Sequence, residues 1–442
     1  MFRRDFLLTT LAVAAPAAAF AQDINWRRSC DVLVVGAGGA GLAAAVRASE
    51  LGAEVILIEQ NAHLGGNTLI SGGFLGVVDP IRQAPLGITD SEEKHFQDIW
   101  YNGDKIANPA LVRKLVHEAP RMLSWLETKG VKFQDEVIEI YGSHFPRCHK
   151  PIFPNGTAYV RALSGALMQR KVNVLTETKA IELVEDDNGR VIGIKAASKG
   201  NEFFIRARKG VILAAGGFGA NLKTVAAFDS RLKGLPSNCS SGSTGDMLFA
   251  ARRIGASVID LNEIQCLPGP ISNKGIRVRF HNDVRRFVFV NDEGQRFVDE
   301  RARRDELKEK ILVQKNKSCY CIIDSDGLET LDLLVRRDAI RAAETSDAVK
   351  AQSLEELASA LNIPATTLTN TIEERNAEIA FDKPQSRRFP IQTAPFWAAR
   401  VGMRIHYTMG GLQINEKAQC LKEPTLRSRF PTAPAICAAW PT

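Results

Sequence analysis

The sequence predicts an α/β fold built on a doubly wound, Rossmann-like sheet, and three observations carry that prediction. A β-branched run, Asp31 to Val35, leads straight into a glycine cluster, Gly36-Ala37-Gly38-Gly39-Ala40-Gly41. Helix formers from Leu42 to Leu51 follow without a break and close at Gly52. A second apolar run, Glu54 to Glu59, ends on an acid. Strand, glycine turn, helix and strand make one βαβ unit, the hallmark of a parallel sheet. The chain has 442 residues, 45% hydrophobic and 24% charged, a balance that excludes disorder, collagen and a multi-span membrane protein. Its length allows roughly two or three domains.

Each part of the unit suits a dinucleotide. Gly36 permits the tight turn, Gly38 lets backbone approach a pyrophosphate, and Gly41 lets helix and strand pack closely. Gly39 and Ala40 open the helix, whose first N–H groups favour an anion. Glu59 is the expected acceptor for a ribose hydroxyl. A glycine-rich turn in an unrelated α/β sheet is the alternative reading; strand, glycines, helix, strand and terminal acid together weigh against it. Gly65-Gly66-Asn67-Thr68 and Ser71-Gly72-Gly73 then place small residues and amides where backbone can approach the pyrophosphate and ring of a flavin.

On these residues the chain resembles the flavoprotein subunits of the fumarate reductase and succinate dehydrogenase family, including the soluble exported flavocytochrome c reductases and their FAD-binding-2 relatives. The resemblance extends over most of residues 30–415. It is supported in order along the chain. Val174 to Val184 with Val191-Ile192-Gly193-Ile194 resembles the family's β-rich excursion, in which backbone near Ala180 lies by the adenine end. Gly210 to Phe218, through Ala215-Gly216-Gly217, resembles the strand and turn that return to the cofactor. Ser243-Thr244-Gly245-Asp246 resembles the segment beside the flavin ring, with Asp246 a cofactor-binding residue. The resemblance implies FAD as the cofactor and a doubly wound FAD-binding domain, residues 30–250, carrying an inserted α+β cap domain over 251–390. Residues 391–442 would return to the first domain. Within this plan a helix is expected from about Pro109 to Lys129, capped by Asn108.

Catalytic candidates lie in the second half. Phe289 to Glu300 reads as strand, turn and strand, a hairpin delivering Arg301-Ala302-Arg303-Arg304-Asp305. By resemblance Arg304 is the acid that protonates the substrate. Arginine is a poor free acid, so this role requires a site that holds the proton at the alkene and a relay that restores it. A solvated basic helix start is the other reading of the same residues. His406-Tyr407-Thr408-Met409-Gly410-Gly411 resembles the family turn in which the histidine binds a substrate carboxylate and the glycines, Gly410 among them, lie against the flavin. Three positions depart from the fumarate-reducing pattern. An ungapped reading back from Arg304 puts Leu267 at a second carboxylate-binding histidine, and Phe280 and Asp283 at the glutamate and arginine of the relay. His281, Asp283 and Arg285 offer a different relay after a small register shift. The implied activity is reduction of an activated C=C bond in a small unsaturated carboxylic acid, with a substrate other than fumarate a fair expectation. An external electron donor such as a cytochrome is implied.

The ends of the chain carry further expectations. Met1 to Ala21 has an Arg3-Arg4 pair, an apolar run and a small-residue end, the three parts of an export signal; the paired arginines resemble the twin-arginine type, which implies a periplasmic protein. A general secretory signal is the alternative. No other apolar run is long enough for an integral membrane segment. The eight cysteines show no framework spacing and no Cys-x-x-Cys, so buried thiols are expected and no metal or haem site. The excess of 57 Lys+Arg over 50 Asp+Glu is mild, and the basic clusters are mixed with acids, which argues against nucleic acid. Cys420 to Thr442 is proline-rich and without strand alternation, although Ile436-Cys437-Ala438-Ala439 echoes a family flavin segment. The stretch therefore reads as an incomplete return to the FAD domain, with a non-catalytic truncated remnant as the competing expectation.

Overall fold

The computed structural model describes residues 24–139, 145–272, 274–276, 278–382, 387–423 and 436–437. The export signal expected at residues 1–21 lies outside them. The first βαβ unit forms as strand Trp26–Val35, helix Gly39–Glu50 and strand Val55–Ile58. Its sheet runs, edge to edge, through Asn173–Leu175, Val55–Ile58, Trp26–Val35, Asn201–Leu213, Val191–Ser198 and Thr178–Glu185. The first four strands are parallel, and the last two fold back antiparallel as the β-rich excursion. All four residues of Val55–Ile58 are buried, as a parallel strand covered on both faces requires. One face packs on Leu42, Ala45, Val46, Tyr159, Leu163 and Leu167 from two helices; the other shares a core with Met247 and Ala251.

Near the end of the chain, Ile436–Cys437 forms a short strand parallel to Ile212–Leu213 in the doubly wound sheet. Residues 424–435 and 438–442 lie outside the described residues. The insertion after the first unit contains helix Pro109–Thr128, where the Asn108 side chain accepts from Ala110 N at 2.9 Å and proline occupies the first turn.

The second sheet centres on a 13-residue strand, Phe396–Thr408. Ser318–Ile323 pairs with one edge, while Ala348–Ala351 and Ile264–Pro270 share the other, all antiparallel; Val288–Val290 lies outside Ser318–Ile323. Helices Leu354–Leu361 and Ala365–Glu378 cover one face through Leu357, Leu368 and Ile372. Helix Arg304–Leu312 covers the opposite face with Leu307 and Ile311. Two expectations change here. The chain does not leave this sheet at residue 391: residues 396–408 are its central strand, because two short strands pair along one edge. The second limb of the Phe289–Glu300 hairpin is not a strand. Beyond a single bridge between Val290 and Arg296, a buried side chain replaces the ladder: Glu300 accepts from Phe289 N at 3.0 Å and from Arg296 Nη2 at 2.8 Å. Among the described residues no helix is long and apolar enough to cross a membrane.

Candidate cofactor site and active site

The glycine turn opens onto a cavity of about 350 Å³ at the carboxyl ends of the parallel strands. Lining it are Gly36, Gly38, Gly39 and Ala40 from the first turn, Glu59 from the second strand, and Gly66, Asn67 and Thr68 from the following loop. Ala180, Ala215, Gly216, Gly217, Asp246 and Gly410 complete the set of expected residues that reach it. Segments distant in sequence thus converge on one space, where a topological switch point is the usual ligand site of such sheets.

Two glycines divide the work of the turn. At Gly41 a Cβ would stand 1.8 Å from the Gly36 carbonyl oxygen, so helix and turn touch through bare backbone. At Gly38 a Cβ would meet nothing nearer than Gly65 O at 4.0 Å, so its place is open space on the cavity side. Gly38 caps helix Gly39–Glu50 without a side-chain acceptor, and the first turn carries no acid, which leaves the positive end of the helix facing the cavity. That cradle fits a pyrophosphate. Glu59 is buried and bridges the turn, its oxygens accepting from Ala37 N at 2.8 Å and Asn61 N at 2.9 Å. Each oxygen keeps a second lone pair for a ribose hydroxyl.

Side chains then lock the cradle together. Thr68 Oγ1 accepts from Gly39 N at 3.0 Å. Asn67 accepts from Ser240 N at 2.6 Å and donates to Ser243 Oγ at 3.0 Å. Asp246 accepts from Thr244 Oγ1 at 2.8 Å and pairs with Lys179 at 2.6 Å. Burial opposes ionisation of Asp246, but Lys179 and Thr244 outweigh it and hold the carboxyl below the usual range. Four expected binding residues do not line the cavity: Gly41 packs against the turn, Gly65 donates to Ala37 O at 2.7 Å, and Gly72 and Gly73 shape the following turn, where Tyr159 donates to Gly73 O.

Beside the cavity, Thr408 Oγ1 accepts from Phe218 N at 3.3 Å, joining the His-Tyr-Thr-Met-Gly-Gly turn to the Gly-Gly-Phe turn. The neighbouring His406 is half-buried at the end of the long strand, its Nδ1 3.0 Å from Asn238 Oδ1. Arg304 opens its helix and donates through Nη1 to Gln265 Oε1 at 2.9 Å; Gln265 in turn pairs with Tyr407 across the sheet. Burial first, and the Arg304 charge second, push the His406 pKa down to about 4. The two catalytic candidates are therefore electrostatic neighbours, with the imidazole neutral. The expected alternative relay does not assemble around Arg304. Asp283 is engaged by Arg285 at 3.0 Å, and His281 is held by the Pro268 backbone, with burial and then Arg279 pushing its pKa to about 4.

Lys179, Asn238 and Gln265 carry no sequence signal, because each acts through a contact between segments far apart in the chain. Of the cysteines, Cys30, Cys148, Cys266, Cys319 and Cys321 are buried thiols and Cys239 is half-buried, whereas Cys420 is disulfide-bonded.

Comparison with known proteins bears on the same residues. The model of the FAD binding domain family matches residues 31–425. The chain is 32% identical over 399 residues to the fumarate reductase (cytochrome) of Shewanella frigidimarina, covering 88% of this chain and 69% of that one. It is 34% identical over 413 residues to the urocanate reductase of Eggerthella lenta, covering 88% and 67%. The solved open conformation of a flavocytochrome c3 fumarate reductase superposes with a TM-score of 0.76 at 27% identity, covering 93% of this chain and 73% of that one.

Proposed function

We propose, from the premise that this chain belongs to the FAD binding domain family and is an FAD-dependent oxidoreductase, that it reduces the activated C=C bond of a small unsaturated carboxylic acid. The observation that carries the reading is the convergence of turns that fit a flavin dinucleotide on one cavity, with Arg304 tied through Gln265 to the strand that pairs at Tyr407, next to His406. Gly38, the Gly39 helix, Glu59, Asn67 and Thr68 would hold the pyrophosphate and ribose, and Ala215 to Gly217 with Met409 to Gly411 would flank the ring. When bound and reduced, the flavin supplies a hydride to the alkene. His406 orients the acid by donating to its carboxylate, and the Arg304 cation beside it attracts the same anion. Arg304 then holds a proton at the neighbouring carbon, its guanidinium aimed by Gln265, so the chain contributes positioning and charge stabilisation. Leu267, a half-buried apolar residue on the strand of Gln265, supports a substrate with one carboxylate rather than two.

The reading extends to an external electron donor, a cytochrome or similar carrier, and to an exported, periplasmic location supported by the sequence of residues 1–21. Its test is anaerobic: FAD-loaded protein is given a reduced viologen dye and a panel comprising acrylate, fumarate and urocanate. Oxidation of the dye with at least one acid is expected. Failure of a flavin-saturated, folded sample with every unsaturated acid of the panel would overturn the assignment.

A further inference from the structure

We infer that Lys179 is the residue that fits the cavity for a doubly charged dinucleotide: by pairing with Asp246 it removes a carboxylate charge that would otherwise repel the pyrophosphate. Lys179 lies at the cofactor end of the site, so this holds whichever acid is the substrate.

The cavity is poor in positive charge. Among the described residues that line it, the charged side chains are Glu59, Asp246 and Lys179, two acids and one base. Glu59 engages Ala37 N and Asn61 N, backbone donors that carry no net charge. The positive end of helix Gly39–Glu50 offers the pyrophosphate a favourable field equivalent to about half a unit charge. Two carboxylates outweigh it. Lys179 restores the balance, its Nζ standing 2.6 Å from Asp246 Oδ2.

Packing brings the two side chains together from distant segments. Lys179 is the second residue of strand Thr178–Glu185, and Thr178 N donates to Glu59 O at 2.8 Å, so the strand begins beside the expected ribose acceptor. Asp246 opens helix Asp246–Arg253 directly after Gly245, where φ is +79° and a Cβ would stand 2.7 Å from the Phe218 side chain. Ala180 shares a buried core with Met247, Ala250 and Ala251 of that helix. The ion pair therefore spans elements that the core already holds, and it is not what assembles them. Thr244 Oγ1 donates to the same carboxylate at 2.8 Å, and Arg253 on the same helix adds a weaker attraction. The Lys179 and Asp246 side chains are 51% and 38% exposed, which places the pair at the rim of the cavity, where its contribution to stability is small and its effect on an arriving anion is not. Without Lys179, the Asp246 charge faces the same space as the dianion. Without either charge, that repulsion is gone, and this difference separates neutralisation from a direct lysine–phosphate contact.

Binding, not turnover, is the readout. Full-length, flavin-free chain is titrated calorimetrically with FAD, ADP and adenosine. Lys179→Met is expected to weaken FAD and ADP by about tenfold, the effect of one uncompensated unit charge in a partly screened site, and to leave adenosine, which carries no phosphate, within about twofold of the parent. Added salt should shrink the defect, since it screens the repulsion. Lys179→Arg should bind FAD as the parent does, and Lys179→Met combined with Asp246→Asn should recover the parental affinity to within about twofold. Melting of flavin-free Lys179→Met within about 3 °C of the parent is expected for the loss of a rim ion pair; should this variant not fold, Lys179→Gln carries the same titrations. Parental FAD affinity in the single variant, or an equal loss for adenosine, would overturn the inference. A double variant as weak as the single one would overturn it too, because Lys179 would then meet the dinucleotide itself.

Discussion

Alanine placed at Gly38 and at Gly41, three positions apart in one turn, should give opposite defects. At Gly41 alanine would ordinarily help, since it is the better helix former by about 0.5–1 kcal/mol. Its Cβ would lie 1.8 Å from Gly36 O and 3.3 Å from the Ala214 side chain, and backbone rather than a flexible side chain must yield. Overpacking of this kind costs about 1–3 kcal/mol or more, so the clash outweighs the propensity and Gly41→Ala should destabilise the protein whether or not flavin is present. Gly38 is different. Its backbone is already extended, with φ −71° and ψ −176°, and a Cβ there meets only Gly65 O at 4.0 Å. The fold should lose no more than about 1 kcal/mol from a weaker helix cap, or about 3 °C of melting temperature at most. The methyl group instead occupies the cradle, so the cofactor-free protein melts almost normally but gains little on adding FAD. The parent should gain about 2.7 kcal/mol at a hundredfold excess over Kd. Melting curves with and without FAD, together with flavin absorbance after desalting, measure both effects. A Gly38→Ala protein that retains stoichiometric FAD would refute the assignment of the cradle, and a Gly41→Ala protein of parental stability would refute the packing argument.

Other perturbations probe the remaining parts. Arg304→Gln should lower kcat by about 10²–10⁴, the usual worth of a positioned proton donor, while FAD content stays at the parental level because Arg304 does not line the cavity; an unchanged kcat would exclude Arg304 as the acid. His95, His281 and His406 are held neutral to about 4 in the fold, against 6.5 when unfolded, chiefly by burial. Between those values the unfolded chain binds more protons, so stability is full above 6.5 and falls as pH drops toward 4, each histidine adding up to about 1.4 kcal/mol per pH unit. Urea titrations across that window should show the slope, and His95→Gln should reduce it by about one proton. Arg375, almost wholly buried, donates to the carbonyl oxygens of Phe389 at 2.6 Å and Arg285 at 3.0 Å, and burial pushes its pKa down to about 10. Arg375→Met should cost about 3 kcal/mol in the urea midpoint with an unchanged m-value, because it strands desolvated carbonyls; a smaller loss would mean that water replaces the guanidinium.

Legibility in the sequence followed the reach of the interactions. The first βαβ unit could be read because its constraints are local: glycine where backbone must touch backbone, β-branched residues where a strand is buried twice, and an asparagine and a proline at the start of helix Pro109–Thr128. The two motif turns could be read separately, but not the Thr408 hydroxyl that joins them across 190 residues. The second limb of the Phe289 hairpin differs from expectation because Phe297-Val298 beyond the Asn291 to Gly294 turn resembles a returning strand, whereas Glu300 turns inward and satisfies the Phe289 N–H itself. The membership of Phe396–Thr408 in the second sheet was missed because pairing along a long strand depends on partners about 75–140 residues upstream, and single-sequence patterning cannot encode that distance.

The placement of Arg304 illustrates why such distant contacts decide function. Three ion-pair groups surround it. Arg303 reaches Asp104 at 2.7 Å and Asp305 through partly exposed side chains, pairs worth about 0–1 kcal/mol each, while Arg301 bridges Asp299 at 2.9 Å and the buried Asp382 side chain at 3.3 Å. Glu300 is only 1% exposed, and it holds both the Phe289 amide and Arg296. Breaking a buried arrangement of that kind leaves an uncompensated charge and costs about 3–5 kcal/mol. Energetically, then, the Arg303 bridges trim the loop while Glu300, with Arg301 on Asp382, fixes where it ends. Since Arg304 begins its helix four residues later and is aimed by Gln265, its guanidinium is located from the cap-domain core outward. His406 lies on the central strand of that same sheet, one residue from Tyr407, and is tied to the FAD-binding domain through Asn238 and Thr408. The second sheet thus carries both groups, Arg304 through Gln265 and His406 on its central strand, while Thr408 ties that strand end to the Gly-Gly-Phe turn beside the cavity.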